Sequence, residues 1–323
     1  MAIQFRRGNS AEFNPSALHI GEPAVCIDTG EVYVKVNENN VKRIDNIDSG
    51  GSYNPNILHN WDFRNPVNQR GQTTYTVGGI IDRWVQLVSG SSGITLNDGY
   101  ITLSHIVAGA SGIYQKLEPA VAAGIAGKAV TLSVLLADGT VYAGTVTAPS
   151  ISTFEQASIP VGATGYNVTL VSVTTDSPAT MVCRLDCWSD ATGETVDVAA
   201  IKLEMGTVST LANDSPAEYS RQLAICQRYL LRVDNGYAMG RADSESGFSV
   251  MLPTPVTMRA LPAIEGTISG ALYDGRGNVH AWYPAVPSAL MQNGVELKGN
   301  VNGLQSGVVQ YGQFSVVLNA ELN

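Results

Sequence analysis

The apolar positions of this chain recur mostly at every second residue, the period of a strand with one buried face. In "IQFRRG", Ile3 and Phe5 alternate with Gln4 and Arg6. "AVCIDTGEVYVKVNENNVKRI", residues 24–44, reads as strand, turn, strand. Asp28-Thr29-Gly30 makes the turn, Val32, Val34 and Val36 share one face, and Tyr33 and Lys35 share the other. Two longer stretches repeat the scheme, "GITLNDGYITLSHI" around Asn97-Asp98-Gly99 and "KAVTLSVLLADGTVYAGTVTA" around Asp138-Gly139. "YNVTLVSVTT", "ATMVCRLDCW" and "TVDVAAIKLEMG" add further strands. Many short strands with no helical period between them predict a β-sandwich of the jelly-roll sort.

One stretch breaks the rhythm. "SPAEYSRQLAICQRYLL", residues 215–231, predicts a helix. Ser215 can cap it, Pro216 fits its first position, and Glu218 completes a capping box. Tyr219, Leu223, Cys226 and Leu230 then fall on one face. Beyond it strand signals return, while Pro253, Pro255, Pro262, Pro284 and Pro287 confine parts of them to edges or loops. The chain is therefore expected to be mainly β in five parts. Residues 1–45 form a small β module, 46–56 a Gly/Ser/Asn/Pro-rich linker, 57–213 a jelly-roll sandwich, 214–232 one short connecting helix, and 233–323 a C-terminal β-sandwich tip.

Composition narrows the function classes. The net charge is −9, and no Lys/Arg run exceeds Arg6-Arg7, so a polyanion such as DNA is repelled rather than drawn in. The N-terminus lacks the apolar core of a signal peptide, and no apolar run is long enough to cross a bilayer. A soluble protein made in a cytoplasm is expected, with neither nucleic-acid binding nor membrane insertion. Cys26, Cys183, Cys187 and Cys226 then read as small buried hydrophobes in a reducing compartment. No Cys or His pair stands at ligand spacing, and no cofactor motif occurs, so neither a metal nor a cofactor is assigned.

Catalysis finds little support. Glycoside hydrolysis uses two carboxylates flanking a cleft. Asp82, Asp98, Asp138, Asp186, Asp190, Asp243, Glu245 and Asp274 all sit in contexts that a turn explains equally well. His19, His59, His105 and His280 are scattered singly, so no catalytic residue is assigned. Sugar binding needs less: an aromatic face for the C–H side of a pyranose, with amides and charges for its hydroxyls. Tyr273, Asp274, Arg276, His280, Trp282 and Tyr283 supply these around a Gly-rich turn, and Trp84, Tyr114 and Gln115 form a second candidate cluster. A competing reading makes Trp282 and Trp84 core residues.

Three stretches carry a resemblance. The first has an R-R-G-x-x-A-E-F start at Arg6–Phe13, followed by G-E-P-x-x-x-x-D-T-G-x-x-Y-V-K-V at Gly21–Val36. The second is "NILHNWDFRNPVNQRGQTTYTVGGIIDRW", residues 56–84, and the third "KLEMGTVSTLANDSPAEYSRQLAICQRYLLRV", residues 202–233. Together they resemble tail fibre and receptor-binding proteins of bacteriophages and phage-tail-like particles. The resemblance implies a homotrimer on the virion tail, assembled in the bacterial host cytoplasm. Residues 1–45 would attach to an upstream tail or baseplate protein, and a domain similar to carbohydrate-binding modules would adhere to host cell-surface polysaccharide without catalysis. A scaffold with no host ligand and a polysaccharide-degrading tailspike are the alternatives. In such proteins the "NWDFRNPVNQRG" segment opens the jelly roll. Trp61 and Phe63 then pack under a sheet edge, while Asn60, Asn65, Asn68 and Gln69 tie down exposed backbone.

Overall fold

The computed structural model describes residues 6–28, 32–38, 40–43, 54–76, 78, 80–242, 247–273, 279–281, 286–300 and 309–321. The chain divides into two compact units, Met1–Pro55 with Ala212–Asp214, and Asn56–Leu211 with Ser215–Asn323. It is mainly β, as the two-residue period predicts.

In the first unit, strands Arg6–Gly8, Pro23–Cys26, Val32–Asn37 and Asn40–Arg43 form one sheet in that order. The first pair is parallel and the others antiparallel. The better-covered face of the third strand is the one carrying Tyr33 and Lys35. Phe13, at the end of a short 3-10 turn, stacks on Tyr33 with ring centroids 4.3 Å apart, while Val36 is exposed.

In the second unit, two antiparallel sheets share one core. The first is ordered Val141–Thr147, Ala129–Leu136, Thr195–Met205, Tyr100–His105, Ser92–Asn97, Thr74–Tyr75. The second is ordered Gln156–Pro160, Tyr166–Val173, Thr180–Ser189, Gly109–Lys116, Val85–Gln86. Alternate residues turn inward from both, Ile94, Leu103, Leu132 and Leu203 from one and Ile113, Val168, Leu170 and Leu185 from the other. The expected hairpins form. Asn97 pairs with Tyr100 across Asp98-Gly99, and Leu135 with Val141 across the Asp138-Gly139 turn. Gly99 and Gly139 both take the positive φ these turns demand.

Two α-helices occur among the described residues, where the sequence predicts one. Helix α1, Pro119–Ile125, arises in an alanine-rich run. Pro119 opens it, and Ala122 and Ile125 are buried. Helix α2, Tyr219–Gln227, starts later than the capping box predicts. The Ala217 N–H is donated to Asp62 Oδ2 at 2.7 Å. Glu218 itself becomes the N-cap, its carboxylate accepting from the N–H groups of Ser220 and Arg221. Cys226 is buried, but Tyr219 at the other end of the predicted stripe is exposed, and Leu230 has already left the helix for a strand. No helix among the described residues is long and apolar enough to cross a membrane.

A seven-stranded sheet completes this unit, ordered Val279–Ala281, Ala263–Tyr273, Val309–Asn319, Leu230–Ala242, Gly247–Pro253, Gly294–Asn300, Val286–Met291. It builds a separate core from Phe248, Val250, Val295, Leu297, Phe314 and Val316. The prolines behave as expected: Pro253 ends a strand, and Pro287 lies at a register shift in an edge strand. Pro284 lies outside the described residues.

The polar "NWDFRNPVNQRG" segment joins these parts. Asn60 adopts φ 49°, and its side chain donates to the Val67 and Asp82 carbonyls while accepting from the Val67 N–H, each at 2.8 Å. Trp61 and Phe63 are buried, as expected. Asn68 closes a turn by accepting from the Gly71 N–H and donating to the Gln72 carbonyl. Gln69 reaches further. It donates to Asp82 Oδ2 and to the Leu230 carbonyl, and accepts from the Arg232 N–H, so it ties the sandwich to the first strand of the tip.

Burial of Asp82 raises its pKa from 3.8 to about 6, against the pull of the two Gln69 donors. A carboxyl whose pKa is raised on folding contributes stability below its unfolded pKa and loses it as pH rises through the folded value. The stability of wild type relative to Asp82→Asn is therefore expected to be greatest below pH 3.8 and to fall by about 3 kcal/mol by pH 7.5. Urea denaturation at several pH values measures it. Taking the difference cancels His59, whose pKa burial lowers to about 4 and whose contribution runs the other way, lost as pH falls below 6.5.

Candidate functional site

The outward face of the five-stranded sheet holds the site. On strand Thr180–Ser189, Cys183, Leu185 and Cys187 point into the core, so Arg184, Asp186 and Trp188 point out. On strand Tyr166–Val173 the same alternation buries Val168 and Leu170 and turns Asn167 and Thr169 outward. Register aligns them into rows. Arg184 lies opposite Thr169 on one side and Tyr114 on the other, and Thr169 in turn lies opposite Ser158. Asp186 lies opposite Asn167 and Gly112. At Gly112, φ is +135° and a Cβ would sit 2.1 Å from the Leu185 carbonyl oxygen, so only glycine fits beside Asp186.

Arg184, Asp186, Trp188, Asn167, Thr169 and Ser158, with Gln156, line a shallow cavity of about 310 Å³. Asp186 organises its floor. Its Oδ1 accepts from Thr169 Oγ1 at 2.8 Å and its Oδ2 from the Trp188 indole N–H at 2.5 Å, while Arg184 Nη2 lies 3.5 Å from Oδ2. Trp188 is thus held by its edge although 63% of it is exposed. An exposed tryptophan forgoes the gain of burying its large apolar area. Here it is fixed in place beside amides and hydroxyls, with the Arg184 guanidinium 6.0 Å from the ring centroid. Arg184 Nε is buried without a hydrogen-bond partner. The combination offers an apolar plane, neutral donors and acceptors, and one internally paired charge couple.

The residues singled out from sequence are placed differently. Trp84 and Gln115 are core residues. The Trp84 indole packs edge-on against Phe63 and donates to the Asn60 carbonyl at 2.9 Å, leaving no face for a ligand. The Gln115 amide is spent on the His59 backbone, accepting from its N–H and donating to its carbonyl, each at 2.7 Å. Of the three, only Tyr114 shares the outer face with Arg184, because adjacent strand residues point to opposite sides; it is half-buried, and burial raises its pKa. In the tip, Tyr273 is half-buried with its hydroxyl 3.4 Å from Gln313 Oε1, and the His280 backbone pairs with Leu272. Asp274, Arg276, Trp282 and Tyr283 lie outside the described residues. The R-x-D-x-W pattern at residues 184–188 alternates with Cys183, Leu185 and Cys187, and this alternation is the sequence signal for the outward row.

Other reactive groups are occupied or enclosed. His105 Nδ1 meets the Ser111 hydroxyl, and its Nε2 lies 3.1 Å from the Ser189 carbonyl, but both side chains are sealed in the core. Asp82 is buried in the joint, and Asp138 caps its own turn by accepting from the Thr140 N–H. Asp243, Glu245 and Asp274 lie outside the described residues. Among the described residues, no three His, Cys, Asp or Glu side chains gather closely enough to hold a metal ion.

Comparison with known proteins finds a match within the N-terminal module. Residues 3–34 match the family described as the major tropism determinant N-terminal domain. That domain belongs to phage receptor-binding proteins, and the stretch it matches contains the R-R-G-x-x-A-E-F start and most of the G-E-P motif. No curated protein and no solved structure matches the chain.

Proposed function

We propose that the protein is a phage receptor-binding protein of the tail, attached through residues 1–45 to an upstream tail or baseplate protein and adhering to host cell-surface polysaccharide. The two facing sheets form a jelly roll of the carbohydrate-binding kind, and the groove around Trp188 is the sugar site. The observation that carries this reading is the exposed Trp188 fixed by its indole N–H to buried Asp186. Such a plane stacks on the C–H face of a pyranose, and Gln156, Ser158 and Asn167 stand beside it to meet hydroxyls. Preorganisation lowers the entropy lost on binding. Assembly as a homotrimer raises avidity by presenting three weak sites on one particle.

Adhesion is favoured over cleavage because Asp186 is the one carboxylate among the residues lining the groove, and it is already engaged by Thr169 and Trp188. Hydrolysis of a glycosidic bond uses a pair. The test is adsorption of the full-length protein to host cells in competition with their extracted polysaccharide, with reducing ends followed over hours. Competition without release of reducing ends is expected. Release of reducing ends contradicts adhesion, and no adsorption at all favours the scaffold alternative.

A further inference from the structure

The charges beneath the groove bear on which sugars it takes. Resting on the reading of this face as a sugar site, we infer that its ligand is a neutral oligosaccharide and that chains of uronic or other acidic sugars are rejected. Arg184 is the cation lining the groove, and its nearest acid partner is Asp186. Both side chains are largely covered, at 12% and 3% exposure. A ligand carboxylate entering beside Arg184 would meet the Asp186 carboxylate at similar range, so attraction and repulsion nearly cancel while the loss of its water is not repaid. The rim residues Gln156, Ser158 and Asn167 carry no charge and suit hydroxyls in either donor or acceptor sense. The net charge of −9 adds a long-range term of the same sign.

Arg184 Nη2, 3.5 Å from Asp186 Oδ2, already has an acid beside it, so a ligand gains most there by offering a neutral oxygen acceptor. Asp186 is therefore a specificity residue as well as the anchor of Trp188.

The experiment is a glycan array probed with the full chain, in which glucose, galactose and mannose oligomers are each paired with their uronic-acid counterparts. Wild type, Trp188→Ala and Asp186→Asn are compared. Wild type is expected to bind at least one neutral oligomer with at least tenfold preference over its acidic partner, and to lose that binding in Trp188→Ala. Asn keeps an acceptor for the indole N–H but removes the negative charge, so Asp186→Asn is expected to shift the preference toward the acidic partner by about tenfold. Trp188-dependent binding that favours acidic oligomers, or an unchanged preference in Asp186→Asn, overturns the inference while leaving the sugar site standing. Absence of any Trp188-dependent binding overturns the site and the inference together.

Discussion

Glu321→Ala is expected to destabilise the protein by about 3–5 kcal/mol. Glu321 Oε2 accepts from Arg83 Nη1 at 2.6 Å, and the two side chains are 8% and 2% exposed. Arg83 also donates through Nη2 to the Lys116 carbonyl at 2.9 Å, and its guanidinium lies 3.7 Å from the Tyr229 ring centroid. Removing the acid leaves a cation buried without its counter-charge, and the desolvation it has already undergone is no longer offset. Residue 83 belongs to the sandwich and residue 321 to the tip, so both cores are expected to melt earlier together. Urea denaturation measures the loss, and a value below about 1 kcal/mol would show that solvent reaches Arg83. The double variant Arg83→Met with Glu321→Leu is expected to recover most of the stability, because it removes both charges and keeps the volume. For the same reason a chain cut at residue 232 is a poor probe of the sandwich alone.

Trp188→Ala is expected to weaken sugar binding about 30-fold, equivalent to about 2 kcal/mol, with little change in melting temperature. The asymmetry follows from exposure. The indole projects from the sheet and contributes little to the core, so its removal costs contact area to a ligand rather than to the fold. The titration is best made with a short oligosaccharide, since multivalent attachment to a cell surface masks the loss of individual contacts. A parallel loss of folding stability would instead make Trp188 a packing residue.

The strands and hairpins were legible because their signals are local. Alternation and a D-G turn are written within about ten residues, and "GITLNDGYITLSHI" folds as it reads. The buried roles of Trp61 and Phe63 were legible for the same reason, with polar turn-formers packed around isolated aromatics. What could not be read locally was contact across long separations. Arg83 and Glu321 are 238 positions apart, and nothing near either residue announces the partner. Another contact of this kind lies just before α2, where Asp62, 155 positions away, accepts from the Ala217 N–H. The groove is likewise assembled across separations that no local pattern spans. Its floor is spread over three strands, and only the register that aligns Arg184 with Thr169 and Ser158 brings them into one row. Trp84 and Gln115 have the side-chain types of a sugar site, yet Trp84 turns inward and the Gln115 amide is spent on the His59 backbone.

The most direct measurement is oxidative footprinting of the full-length protein with and without host surface polysaccharide, read by mass spectrometry at single residues. Trp188 is expected to be labelled in the free protein and protected when polysaccharide is bound, while the exposed tip residues Tyr237 and Met239 keep their labelling. Unchanged labelling of Trp188 together with protection at Tyr237 and Met239 would contradict the assignment and move recognition to the tip.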